Sequence, residues 1–434
     1  MKFIAERKIF IIFTLFVCFA YIFFGMLSST LKGAPLQLNP GFITESSQYN
    51  YFRYLAKSFL NGRLDVTECP AIHDLVLFNQ KKYLYWPPVP ALVFMPLVAA
   101  FGLDLPDRLL NILMGAANIY LFLLVIRRIC QRYNYAIDTI SVLIFGAFWA
   151  FGTVHFYMSL SGGVWFISQV LAQTFLLGAV YCLMAENKKI RKYLLSGFWF
   201  ALAVYTRNDI VFGGIFFLII ILEDSGYSLK GLFLKRGLLF GSFFIIFSLI
   251  NLYYNYARFG NAFDNGINYH NMGADFLDKF RNWGYMSMHY IPYNFYVEIV
   301  RLPKFINRIP LIEMDFNGFG FIWASPFFLM IIPAGVFYLK SFAGKQKYIS
   351  AVESKMVLAA LISVLLIGLI ILMIMGTGVS QFAARYTLDF HLFLCLILLP
   401  FINYMLSFKW FKVISLALIF VSFCMNTLGV FLFY

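Results

Sequence analysis

Residues 89–103 read VPALVFMPLVAAFGL, an almost continuous apolar run with Pro90 and Pro96 inside it. At about fifteen residues and twice interrupted, it is short for a helix that crosses a bilayer. The choice sets the sidedness of everything that follows. If the run crosses, the cluster RRICQRY, with Arg127, Arg128 and Arg132, faces away from the other basic clusters. If it lies within a loop, as a re-entrant or surface-lying hairpin, the clusters recur after every second span: Lys2, Arg7 and Lys8; Arg127 to Arg132; Lys188, Lys189, Arg191 and Lys192; Lys230, Lys235 and Arg236; Lys340, Lys345, Lys347 and Lys355; Lys409 and Lys412. That side is then cytoplasmic, with the N-terminus inside.

The rest of the chain is consistent with that choice. It is 62% hydrophobic and only 12% charged, more apolar surface than a soluble core can hide. Residues 1–29 have the basic start of a signal peptide but an apolar run long enough to span, so a retained first helix is expected. Further spans are expected near 109–126, 136–153, 164–185, 193–206, 210–222, 237–256, 318–338, 356–376, 387–406 and 412–432, about eleven in all. The expectation is an all-α polytopic membrane protein: a first helix in 1–30, an extracytoplasmic loop 31–108 carrying amphipathic juxtamembrane helices, a bundle 109–256, a second outer loop 257–317, and C-terminal helices 318–434. The net charge of +14 is sorted by membrane side and does not indicate nucleic acid. Five of the six cysteines lie in or beside apolar segments, leaving Cys69 in an aqueous loop. The five histidines show no metal spacing.

Within the first outer loop, SSQYNYFRYLAKSFLNGRLDV (46–66) places Phe52, Leu55, Ala56, Phe59 and Leu60 on one helical face. The opposite face carries Asn50, Arg53 and Lys57, so a helix over 48–61, capped by Ser46 or Ser47, should lie on an apolar surface and show cations to water. Downstream, Lys81 and Lys82 are placed to meet a phosphate or anionic headgroups, and Tyr83 and Trp86 are interfacial aromatics. Arg207, in TRND between two short apolar segments, requires a partner, either a phosphate or an acid such as Asp209. Arg385 precedes Asp389 by four residues, the spacing of a helical ion pair. The second loop holds Tyr269 and His270 among aromatics and amides that suit sugars. His155 and His391 read as packed helix residues.

The order of YFRYLAKSFLNGRLDV, HDLVLFNQKKYLYWPPVPALVFMPLVAAFG, FGTVHFYMSLSGGVWFISQ, SGFWFALAVYTRNDIV, YARFGNAFDNGINYH, GFGFIWASPFFLM and QFAARYTLDFHLF resembles successive regions of the glycosyltransferase C superfamily. The likeness is to bacterial proteins of the dolichyl-phosphate-mannose protein mannosyltransferase and lipopolysaccharide core transferase type, over residues 45–395. It implies transfer of a sugar from a polyprenyl-phosphate donor to a lipid, glycan or protein acceptor at the outer face of the cytoplasmic membrane. No cofactor is implied with certainty, and a divalent cation on the donor phosphate is left open. A carboxylate must accept the acceptor's proton and cations must hold the departing phosphate. The family usually places an Asp, often Asp-Glu, at the start of the first juxtamembrane helix. The matching positions here are Gln48, Tyr49 and Asn50, so Glu45, one turn earlier, is the first candidate base and Asp74, in the HDL turn, the second. Arg207, Arg385, Lys81 and Lys82 are the candidate phosphate ligands, and Tyr83, Trp86, Tyr269 and His270 the candidate substrate contacts. A transporter or flippase, and a noncatalytic binding protein for lipid-linked saccharides, are the alternatives.

Overall fold

The computed structural model describes residues 2–27, 38–185, 189–307, 311–313, 315–343, 349–378 and 381–433. Lys188, Lys345 and Lys347 of the basic clusters lie outside the described residues. Among the described residues, seven helices are long and apolar enough to cross a membrane: Ala5–Leu27, Asp107–Arg132, Val164–Leu183, Leu232–Phe259, Ala351–Met373, Arg385–Met405 and Lys409–Leu432. The other four expected spans are helices of 13, 15, 11 and 12 residues, Thr139–Phe151, Ile190–Val204, Gly214–Asp224 and Ile331–Phe342. Each is shorter than the roughly 20 residues that a bilayer requires.

Burial sorts the long helices into centre and rim. Of its most apolar window, Val164–Leu183 buries 83%, whereas Leu232–Phe259 buries 11%. The first is therefore a central post of the bundle, and the second shows most of its surface outward. The core around the post is aromatic: Trp149 stacks on Phe122 with centroids 4.6 Å apart. Some polar groups inside it are paired, as where Tyr21 and Asn118 each lie 3.2 Å from a His155 ring nitrogen and Thr387 lies 3.0 Å from that of His391.

The described part of the first loop folds into the short helix Gly41–Thr44, two longer helices and a hairpin. Helix Tyr51–Leu60 begins after Asn50 rather than at Ser46 or Ser47. Its apolar face buries Phe52, Leu55 and Ala56, largely against helix Val89–Phe101. The polar face departs from expectation. Arg53 is 3% exposed and donates to the Leu105 carbonyl, because its long stem can bury alongside apolar neighbours while the guanidinium finds an acceptor. Lys57 alone of that face meets the expectation, half exposed and 3.1 Å from Glu68. Residues 89–101 form one helix with Pro96 inside and no hairpin turn. Its other proline, Pro90, sits in the first turn, where the missing N–H costs no hydrogen bond. Cys69, expected in water, is buried.

Between these helices, strands Val76–Phe78 and Lys81–Tyr83 pair antiparallel. Asn79 and Gln80 join them with φ of 48° and 61°, the two positive dihedrals of a tight hairpin turn. The second loop docks onto this hairpin: Val76 bridges His270, and the Asn271 amide donates to the Leu75 carbonyl at 2.8 Å. It also docks on the end of helix Ala351–Met373, where Met286 bridges Ile374.

Candidate functional site

Asp74 has a φ of 62°, a left-handed conformation that Asp tolerates better than most residues. The turn aims its carboxylate at helix Val164–Leu183. Trp165 Nε1 donates to Oδ2 at 2.8 Å, and His270 Nε2 lies 3.1 Å from Oδ1. Burial opposes the charged form of Asp74, but His270 and Trp165 outweigh it and hold the carboxyl below the usual carboxylate range. The group is thus an ionised acceptor of protons. Tyr49, in the stretch where the family pattern has its acids, packs edge-on against Trp165 at 4.8 Å.

Four residues further along the same helix, Gln169 takes hold of Arg385. Its amide nitrogen donates to the Arg385 carbonyl at 2.9 Å, and its oxygen accepts from Nη1 at 3.2 Å. Arg385 Nε also donates to the Gly378 carbonyl at 2.9 Å. Residues i and i+4 of a helix share a face and are separated by about 6 Å of rise. One turn of the central post therefore supports the acid through Trp165 and the arginine through Gln169.

Arg207 completes the cluster. Its Nη2 donates to Asp389 at 2.5 Å, and Nε lies 3.4 Å from Asp209. The acid partner foreseen for Arg207 is present, with a second that was not. The expected Arg385–Asp389 pair is replaced, because Arg385 sits in a 3-10 turn, Arg385–Thr387, and the α-helix starts only at Leu388. Helical i, i+4 geometry does not reach back to it. Both guanidiniums lie against one ring, Tyr386, at 4.8 Å for Arg385 and 5.3 Å for Arg207. Two tyrosines bridge the halves of the cluster: Tyr85 is in electrostatic range of Asp74 and Arg385, and Tyr285 of Asp74, Arg207 and Asp209.

Glu298 lies in a π-helical turn, Tyr296–Val300, and is 1% exposed. Neither of its carboxylate oxygens has a hydrogen-bond partner among the described residues. Burial pushes its pKa up to about 8 against the pull of Arg385, so near neutrality it is uncharged and leaves the Arg385 charge uncancelled.

The other candidates fall elsewhere. Glu45 ends the short helix Gly41–Thr44, exposed, with its carboxylate over Gly41. Lys82 donates to the Cys69 carbonyl at 2.6 Å, and Lys81 is exposed within electrostatic range of Asp65, so both serve the edge of the hairpin. Tyr83 stacks edge-on with Phe259 at 5.4 Å, and Tyr269 lies 4.6 Å from Phe78. Trp86 is buried among the loop helices against Tyr85. It is Tyr85 that faces His270, at 4.8 Å. Of the candidate set, Asp74, His270, Arg207 and Arg385 come together. Trp165, Gln169, Tyr285, Tyr386 and Glu298 join them unforeseen. The pair Trp165 and Gln169 was readable in GGVWFISQ as two hydrogen-bonding side chains one turn apart on a largely apolar helix.

Comparison with solved structures finds the crystal structure of the Archaeoglobus fulgidus oligosaccharyltransferase in the apo form, with a TM-score of 0.55 and 10% identity, over 98% of this chain and 56% of that one. The chain thus spans about half the length of the structure it matches. No family model matches the sequence, and no curated protein matches it. At this identity the likeness concerns the fold alone.

Proposed function

We propose that this chain is a membrane glycosyltransferase that moves a sugar from a polyprenyl-phosphate donor to an acceptor at the outer face of the cytoplasmic membrane. The observation that carries the reading is the shared support of Asp74 and Arg385 by Trp165 and Gln169 on one helix face. A carboxylate kept ionised beside arginines within a glycosyltransferase C fold matches the two needs of glycosyl transfer. In the step, the acceptor hydroxyl forms its bond to the anomeric carbon and yields its proton to Asp74. The bond from that carbon to the phosphate oxygen breaks, and polyprenyl phosphate leaves with the electron pair. Arg385 and Arg207 meet the charge that develops on the phosphate. Here Asp74 takes the role of base ahead of Glu45, and His270 is its positioning residue. Lys81 and Lys82 are assigned to headgroups at the rim. The eleven-span topology with a cytoplasmic N-terminus and outer loops at 31–108 and 257–317 belongs to the same proposal.

The test is transfer of radiolabelled sugar from a panel of polyprenyl-phosphate sugars in proteoliposomes, for the parent and Asp74→Asn. Transfer that Asp74→Asn abolishes while donor binding survives is the expected result. Donor binding without release from any donor, with acceptors and divalent cations supplied, would replace the transferase with a transporter or a noncatalytic binder.

A further inference from the structure

Beside the Asp74 cluster, not within it, the second loop and Gly376 line a half-open cavity of about 330 Å³. Its lining includes Asp278, Lys279, Asn282, Trp283 and His289. Trp283 ends the helix Ala274–Trp283, and its ring stacks on His289 with centroids 4.0 Å apart and planes 5° from parallel. The result is a flat aromatic plate that is still half open, since Trp283 is 51% exposed. Asp278 and Asn282 are four residues apart on the same helix and so share one face. The walls are fixed: Tyr290 Oη donates to the Gly284 carbonyl at 2.8 Å, with that of Lys279 at 3.1 Å, and the Asn294 amide donates to those of Leu372 and Ile374 at 3.0 and 2.7 Å. Gly376 has a φ of 122°, and a Cβ there would come 3.0 Å from the Phe276 ring.

Cavity and cluster are linked along the chain. Residues 285–287, just past Trp283, are hydrogen-bonded to 373–375, and Tyr285 is in electrostatic range of Asp74 and Arg207. Gly378, two residues beyond Gly376, receives the Arg385 Nε bond.

We propose that the cavity binds a saccharide, one ring lying face-on against Trp283, and that the acceptor of the transfer is therefore a glycan; the word acceptor rests on the function proposed above. A pyranose has an apolar C–H face that meets the electron-rich face of an aromatic ring, and a rim of hydroxyls that a carboxylate and an amide hydrogen-bond in pairs. The volume suits roughly one to two sugar rings, at the low end of small-molecule sites. An interfacial tryptophan that merely anchors the loop to lipid is the competing origin of such an exposed ring. The lining gives it no electrostatic pull, since Asp278 and Lys279 both border the cavity and their charges offset.

The full chain in nanodiscs of neutral lipid is titrated with an array of hexose, hexosamine and heptose oligosaccharides. At least one is expected to bind saturably, about tenfold or more weakly to Trp283→Ala and to Asp278→Asn, and near the parent level to Trp283→Phe, with donor binding unchanged in all three. Three results overturn the proposal: no glycan binds saturably, Trp283→Ala binds like the parent, or Trp283→Ala alters only association with anionic vesicles. Trp283→Phe separates a lost contact from a lost fold. Glycan binding without any transfer would keep the pocket and remove the transferase. Transfer to a peptide or lipid, with no glycan bound, would do the reverse.

Discussion

Two polar clusters, one at the Arg132 end of helix Asp107–Arg132 and one around Asp74 and Arg385, are of opposite kinds. At the Arg132 end, charge is saturated. Asp224 accepts from Arg132 at 2.9 Å, Lys192 at 2.7 Å and Tyr193 at 2.9 Å, its carbonyl takes Arg236 at 2.5 Å, and Glu223 lies on Arg132 at 2.5 Å. In the cluster around Asp74 and Arg385, hydrogen-bonding capacity is left over. Asp389 Oδ1, Asp209 Oδ2 and both oxygens of Glu298 have no partner among the described residues. A closed network keeps helices in register and can do little else, whereas unspent hydrogen-bonding capacity in a buried place is costly unless something arrives to use it. The same residue types thus divide into a fastening and a workplace.

Substitutions in the two clusters should separate these roles. The largest effect expected is on Asp74→Asn, with transfer falling by about 10²- to 10⁴-fold, the span of general base catalysis, at unchanged donor binding and thermal unfolding. In the saturated cluster, Asp224→Ala should lower stability by about 3–5 kcal/mol by stranding buried cations. Thermal unfolding would register it, while turnover per folded molecule stays at the parent value. Loss of turnover there would erase the distinction between the clusters.

Smaller effects sharpen it. Arg207→Ala should weaken donor binding by about tenfold, near the value of one charge-assisted hydrogen bond, and unchanged affinity would return Arg207 to a structural role. Glu298 supplies a pH dependence. With its pKa near 8, it is neutral below that pH and charged above it, and the charged form competes with phosphate for Arg385. Donor affinity should therefore fall as pH rises through about 8, and Glu298→Gln should flatten that limb, read by donor titration at fixed ionic strength. The groups facing Glu298 are Arg385 and Tyr157, and Tyr157 does not ionise in this range. The smallest change is expected at Glu45→Gln, within about twofold of the parent, as for surface substitutions generally. Abolished turnover there would move the base back to the start of the loop.

How legible the molecule was follows from the range of each signal. The long helices could be read because hydrophobicity over about twenty residues is a local property. The 51–60 helix was legible in its apolar period, and Arg207 in its need for a counter-charge. Arg53 was misread because periodicity reports which face is polar, not whether a carbonyl waits above it. The pairing of Arg207 with Asp389, 182 residues away, is made by helix packing and leaves no local trace. Arg385 and Asp389 had the spacing of a helical pair, but spacing holds only if the helix has already begun. Asp74 stood out only weakly because its two supports, Trp165 and His270, come from distant segments.

That last feature bears on biosynthesis. His270 reaches Asp74 across a bridge between loops some two hundred residues apart in the chain. At ordinary elongation rates, many seconds separate the emergence of the two. Through that interval the nascent protein already owns its acid and its first loop but not the group that holds the acid in place. The cluster is thus built in stages, the acid first, His270 with the second loop, and Arg385 only later. A cut between the two loops, repaired by co-expressing the halves, should then restore competence only when both halves meet in one bilayer.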